Sequence, residues 1–262
     1  WLTLPDTLAQ LQLSSPLRMA AGGTLASQHF QLQASGSVPE LPALALELAG
    51  RHEAGVLTIE DMRLQDPAAT NTLWGLGQVT LGQPMQWSAT LESSGFDLPG
   101  SNVVEQAAMT FKGRVEGRLQ LAGSSEADAW QLSISEADLA GTINGLPALV
   151  VGYAGLDSDM KLAASDLKAE LNGASLVLLS PQLGGPAQLK VDVPQLGRWH
   201  SDVSGQLALN AQVASDWQQV RLQGSLTSVV AGGAEIRSGA IKGVIRLGKG
   251  RASTLGLTLA EV

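Results

Sequence analysis

The sequence predicts an all-β fold, one long curled antiparallel-rich sheet with an aliphatic concave face. Three observations lead there. Apolar and polar residues alternate at period two along most of the chain, turn dipeptides separate the alternating rows, and helical spacing is weak. Period-two alternation places one set of side chains on each face of a strand, so each row reads as apolar on one side and wet on the other.

The rows can be followed in order. Leu44, Leu46 and Leu48 form the first clear one. In Arg114–Leu121, Val115, Gly117, Leu119 and Leu121 point one way, while Arg114, Glu116, Arg118 and Gln120 point the other. Trp130, Leu132 and Ile134 repeat the pattern, followed by Leu189, Val191 and Val193, then Leu207, Leu209, Ala211 and Val213. Val220, Leu222, Gly224 and Leu226, then Ile241, Gly243, Ile245 and Leu247, and finally Leu255, Leu257 and Leu259 complete the set. Asn144-Gly145 and Asn172-Gly173 suit two-residue hairpins, whose central residues take positive φ. Gly22-Gly23, Gly184-Gly185-Pro186 and Gly232-Gly233 punctuate similarly. Ser101 is placed to cap a short helix over Asn102–Met109, with a loop as the plainer reading.

At one strand per dozen residues, the chain has room for about 18 to 20 strands, too many for a single immunoglobulin-like sandwich. Two sandwiches, a closed barrel or propeller, or one long curved sheet remain. The strands read as shorter than the roughly 9 to 11 residues of a membrane barrel, and one Tyr makes no aromatic girdle. Gly117-x-Leu119-x-Leu121 before Trp130-Gln131 and Gly205-x-Leu207-x-Leu209 before Trp217-Gln218 suggest a reused hairpin unit, without the blade period of a propeller. A long sheet fits best. No internal boundary stands out, so residues 1–262 read as one continuous elongated segment. The start at Trp1 and the end directly after a patterned row lead us to expect a piece of a longer protein.

Composition removes whole classes of function. The 262 residues are 44% hydrophobic and 15% charged, with a formal net charge of −8. A net negative chain does not gain the counterion release that drives nucleic-acid binding, nor the attraction of a basic patch to an anionic membrane. With no Cys there is no disulfide, thiol chemistry or Cys-ligated metal. The most apolar stretch, Leu146–Ala154, is broken by Pro147 and Gly152 and is too short to span a bilayer.

Catalytic patterns are equally scarce. His29, His52 and His200 lie far apart, with Asp202 after His200 as the nearest acidic neighbour. Asp157-Ser158-Asp159 lacks the Gly and Glu of a calcium loop and reads as a solvated turn. Gly243–Gly250 misses a phosphate loop by placing Gly250 where Ser or Thr would hold magnesium. The reading is a non-enzyme with no cofactor.

The stretch Trp130–Ser135 through Asp138–Gly145 resembles the repetitive regions of TamB-like proteins of the AsmA-like superfamily, as do Leu167–Ala174, Val193–Leu209 and Asp216–Leu226. The resemblance is best over Met85–Leu247 and points to the central and C-terminal-side repeats. It implies a U-shaped sheet, or β-taco, in the periplasm, within a full-length protein anchored in the inner membrane. It further implies phospholipid as cargo, transport between inner and outer membranes, and outer-membrane protein assembly with a TamA-type barrel as partner. On that reading Val115, Leu119, Leu121, Trp130, Leu132, Ile134, Leu189, Val191, Leu207, Leu209, Trp217, Val220 and Leu222 line one lipid groove. The alternatives are a structural β-solenoid whose inner rows pack shut, or a scaffold that offers a sheet edge to barrel clients.

Overall fold

The computed structural model describes residues 12–13, 17–24, 26–37, 43–68, 70–102, 110–127, 129–159, 161–182, 185–199, 202–214, 219–231, 234–246 and 254–260. Strands β1 (Gln12–Leu13), β2 (Arg18–Gly23), β3 (Ser27–Ser37), β4 (Leu44–Glu53), β5 (Val56–Gln65) and β6 (Thr72–Thr80) open the sheet. Four long strands follow: β7 (Met85–Asn102), β8 (Thr110–Glu126), β9 (Ala129–Ile143) and β10 (Leu146–Asp157). Three short ones, β11 (Ser165–Leu171), β12 (Ala174–Ser180) and β13 (Ala187–Val193), precede a 3-10 turn at Leu196–Arg198. The described chain closes with β14 (Val203–Val213), β15 (Gln219–Ala231), β16 (Ala234–Arg246) and β17 (Thr254–Ala260).

All 17 strands belong to one sheet. From β3 onward each strand pairs antiparallel with its sequence neighbours, and β1 and β2 both lie against β3. Among the described residues no register joins β17 back to β2, so the sheet is open and not a barrel. At about 4.8 Å per strand the ladder runs for roughly 70 Å along its path.

The described residues form 17 strands, against the roughly 18 to 20 expected for the whole chain, and several are longer than the sequence suggests. β7 has 18 residues, β8 17 and β9 15. Ser93–Gly95 and Gly117 lie inside long strands and bend them. The register slips between Ser93 and Phe96, between Gln120 and Leu121 and between Gly152 and Ala154, the mark of bulges that sharpen twist and turn a flat ladder into a trough. Gly117 (φ 123°) and Gly152 (φ 118°) sit at such bends, where an added Cβ would run into the Asp138 and Asp166 carbonyls of the next strand.

Turn chemistry follows the sequence at Asn144-Gly145 (φ 52° and 75°) and Asn172-Gly173 (φ 49° and 79°). Ala54-Gly55 makes a third turn of the same kind with Ala in the strained place, which no residue preference foretells. Ser101 and Asn102 close β7; residues 103–109, the rest of the helix alternative, lie outside the described residues.

The apolar face is half-covered and the polar face exposed, as Val115, Gly117 and Leu119 against Arg114, Glu116 and Arg118 illustrate. Ion pairs stand on the polar face, including Arg118 with Glu92 (3.5 Å) and Glu136 (3.8 Å), and Arg51 with Glu60 (3.3 Å). Few apolar side chains are fully buried: Ala137, Ile143, Ala187, Val193, Ala211 and Val229 among the described residues. Total accessible surface is 16480 Å², against about 10,800 Å² for a compact monomer of this mass. Among the described residues the strands pack mainly against their neighbours in the sheet, and no second layer lies against the apolar face.

Candidate functional site: an apolar trough between two unlike rims

Directly opposed residues in an antiparallel ladder share a face, so the registers show which side chains the sheet gathers. Val115 lies between Phe96 and Gly141, and Leu119 between Leu91 and Ala137. Leu121 faces Ala89 and Ile134, while Leu132 sits between Gly123 and Leu156. Trp130 stands opposite Ser125 at the end of the same row. Leu189 falls between Leu178 and Ala211, and Val191 between Leu176 and Leu209. Leu207 meets Val193 and Leu226; Val220 meets Val213 and Ile245; Leu222 meets Ala211 and Gly243. These side chains therefore share one face running across β7 to β16. Trp217 lies outside the described residues.

The same face extends through the first strands, where sequence reasoning finds the row of Leu44, Leu46 and Leu48 but not its neighbours. Phe30, Leu32, Leu48, Ile59, Met62 and Leu64 continue it, joined to β7 by Gly75, Gly77 and Val79. Among the described residues from β2 to β14, no strand residue on this face is Asp, Glu, Lys or Arg, and His52, opposite Gln28 and Leu57, is its titratable exception.

Glycines alternate with the large side chains on this face and let them lie down. A Cβ at Gly50 would come within 2.6 Å of the Phe30 ring, one at Gly75 within 2.5 Å of Met62, and one at Gly123 within 2.5 Å of the Trp87 ring. Each of these side chains lies against the glycine of the neighbouring strand.

The two rims differ. At the ends of β5, β7, β9, β11 and β13 the rim is laced with hydrogen bonds. The Asp66 carboxylate accepts from Thr70 N (2.8 Å), Thr70 Oγ1 (2.6 Å) and Asn71 Nδ2 (2.8 Å). Asn71 Oδ1 accepts from Asp97 N (2.6 Å), and Arg114 clamps Asp97 (3.0 Å) and the Thr70 carbonyl (2.7 Å). These bonds, the Thr70 hydroxyl first, hold the Asp66 carboxyl at about 2. Farther along, Asn144 exchanges bonds with the Lys112 backbone, and Asn172 Nδ2 donates to the Arg198 carbonyl (2.7 Å).

The opposite rim is open across β7–β9. Met85, Trp130 and Leu132 are 39%, 39% and 43% exposed on the apolar face there. Beyond β10 this rim closes again over buried Ser165, Ser180 and Ala187. The turn at Asp157–Asp159 is held by Asp157 Oδ1 accepting from Asp159 N (3.0 Å) and Lys161 N (2.9 Å). Its carboxylate serves the backbone. Two hollows flank this rim. One of about 470 Å³ touches Trp87, Gly123, Leu132 and Leu156 together with Gln86 and Gln131. The other, about 760 Å³, follows the outward row Tyr153, Asp166, Leu179, Gln188, Gln212 and Arg221.

Among the described residues no three His, Asp or Glu side chains gather as a metal site, and no helix is long and apolar enough to cross a membrane. No curated protein and no solved structure matches the chain. A family model does, that of TamB, N-terminal domain, over residues 2–262. The match extends beyond the Met85–Leu247 span of the sequence resemblance and falls on the N-terminal domain, whereas the Gly and Leu motifs resemble the later repeats. Such motifs encode a trough and do not mark a position along it. The chain belongs to the TamB N-terminal domain family.

Proposed function

We propose that this segment is a non-enzymatic conduit that shields phospholipid acyl chains between the inner and outer membranes. The observation that carries the reading is the continuous, charge-poor apolar face, floored by glycines and left without a covering layer. Moving a phospholipid through water exposes about 30 methylenes at roughly 0.8 kcal/mol each, on the order of 25 kcal/mol. A row of Leu, Val and Ile replaces the bilayer interior without directional bonds. Sites of similar strength in series let the lipid move on, since no one position traps it.

The segment sits in the periplasm on this reading, within a longer protein anchored in the inner membrane, and a TamA-type outer-membrane barrel is the partner of the whole. Residues 1–262 act as one continuous trough. The scaffold reading rests on a different observation: β2 is exposed along its whole length, and among the described residues it has a neighbour on one side only. Such an edge accepts a further strand.

Native mass spectrometry of protein purified under gentle extraction tests the conduit. Phospholipid should co-purify, and its absence from folded protein after incubation with phospholipid vesicles refutes the reading.

A further inference from the structure

We infer that the hollow along Tyr153, Asp166, Leu179, Gln188, Gln212 and Arg221, on the polar face, is a binding site for an extended β-1,4-linked glycan. The registers set these six side chains in one unbroken row across β10 to β15. Tyr153 opposes Asp166, Asp166 opposes Leu179, Leu179 opposes Gln188, Gln188 opposes Gln212, and Gln212 opposes Arg221. All six line the same hollow of about 760 Å³, together with Pro181 and Pro186 from the β12–β13 connection. The row lies on the face opposite the trough, so the site does not draw on the conduit reading.

The chemistry is that of a polyhydroxylated ligand. Asp166, Gln188, Gln212 and Arg221 end in planar groups, and among the described residues none of the four spends its side chain on a hydrogen bond or ion pair within the protein. An amide presents a donor beside an acceptor, which matches the neighbouring hydroxyls of a sugar. Tyr153 and Leu179 are exposed in the same row and add apolar surface for the C–H face of a pyranose ring. One acid and one base balance along the row, so it favours neither a polyanion nor a polycation. Adjacent positions are about 4.8 Å apart and the row is about 24 Å long, a spacing close to one sugar unit per strand. A peptide cannot join here as a further strand, because β10 to β15 are all paired on both sides.

Titration calorimetry on the folded protein tests the site with two probes, cellotetraose and chitotetraose, the second adding an acetamido group to each ring. At least one should bind, about tenfold or more tighter than its monosaccharide, since a single ring reaches only part of the row. Gln212→Ala and Tyr153→Ala should each weaken that binding about tenfold, through a lost amide pair and a lost ring contact. Gln206→Ala, on the same strand and face as Gln212 but outside the hollow, should leave it unchanged. All three side chains are exposed, so the variants should fold as the parent does. Absence of binding by both tetrasaccharides, equal binding by the monosaccharide, or binding untouched by Gln212→Ala and Tyr153→Ala overturns the site. Tetraglycine binding as tightly as either sugar marks a peptide site and overturns the glycan.

Discussion

The two rims of the trough are built from the same strands and meet opposite requirements. At the laced rim, carboxylate, amide and guanidinium groups satisfy one another and the backbone ends, so Asn71 and Thr72 are buried. At the open rim, large apolar groups remain half-exposed with no polar partner within the trough. A one-layer sheet has little core to draw on, so its rigidity must come from its ladder and edges. The difference shows where this fold anchors its curvature and where it leaves itself accessible.

Breaking the lacing should have the largest effect on stability. Asn71→Ala strips one of three donors from the buried Asp66 carboxylate and the acceptor from the part-buried Asp97 amide, a loss of about 2 kcal/mol. Chemical denaturation should show that loss, whereas Trp130→Ala at the open rim should cost about 1 kcal/mol, since much of its ring is already solvated. Comparable losses at both rims would erase the distinction.

Next is the floor between them. Leu209→Asp places a charge beside Val191 and Gly224 on the trough face, and Asn210→Asp places one on the polar face. Ile134→Asp and Ser133→Asp make the same pair in β9. The inward variants should lose phospholipid in native mass spectra while staying folded, and the outward ones should keep it. If the inward variants unfold instead, the face is a packed core; if the outward ones lose lipid, the faces are reversed.

Acid should loosen the laced rim selectively. The folded-state carboxyl of Asp66 lies at about 2, below its ordinary 3.8. Its contribution to stability is therefore full above about pH 4 and disappears as pH falls through that range toward 2. Thermal melts across this window should show a steeper fall for the parent protein than for Asp66→Asn. The smallest effect is expected from the exposed pair on the polar face: Arg51→Ala should change stability by about 0.5 kcal/mol or less.

Much of this was legible in the sequence, for physical reasons that differ by residue. Alternation is a local property, so Val115 through Leu121 and Leu207 through Val213 declare their faces without knowledge of partners. Asn144-Gly145 declares a turn because positive φ restricts the choice of residues. Ala54-Gly55 does not, because Ala carries no such signal. The length of β7 and β8 was hidden, since a glycine that bends a strand and a glycine that ends one look alike until the neighbouring carbonyl is placed. The lacing was hidden most thoroughly: Asp66, Asp97 and Arg114 are distant in sequence and meet only once register is fixed. The rim asymmetry is likewise a property of registration, invisible in any single row.

Pairing between consecutive strands has a further consequence, for growth and assembly. Among the described residues every strand after β3 pairs only with its predecessor and successor, so adding or deleting one hairpin lengthens or shortens the ladder by about 10 Å without disturbing any other pairing. The fold is thus a ruler with a two-strand increment. Because partner strands are consecutive in sequence, ordering can pass from hairpin to hairpin as a zipper closes, with each new strand templated by the last.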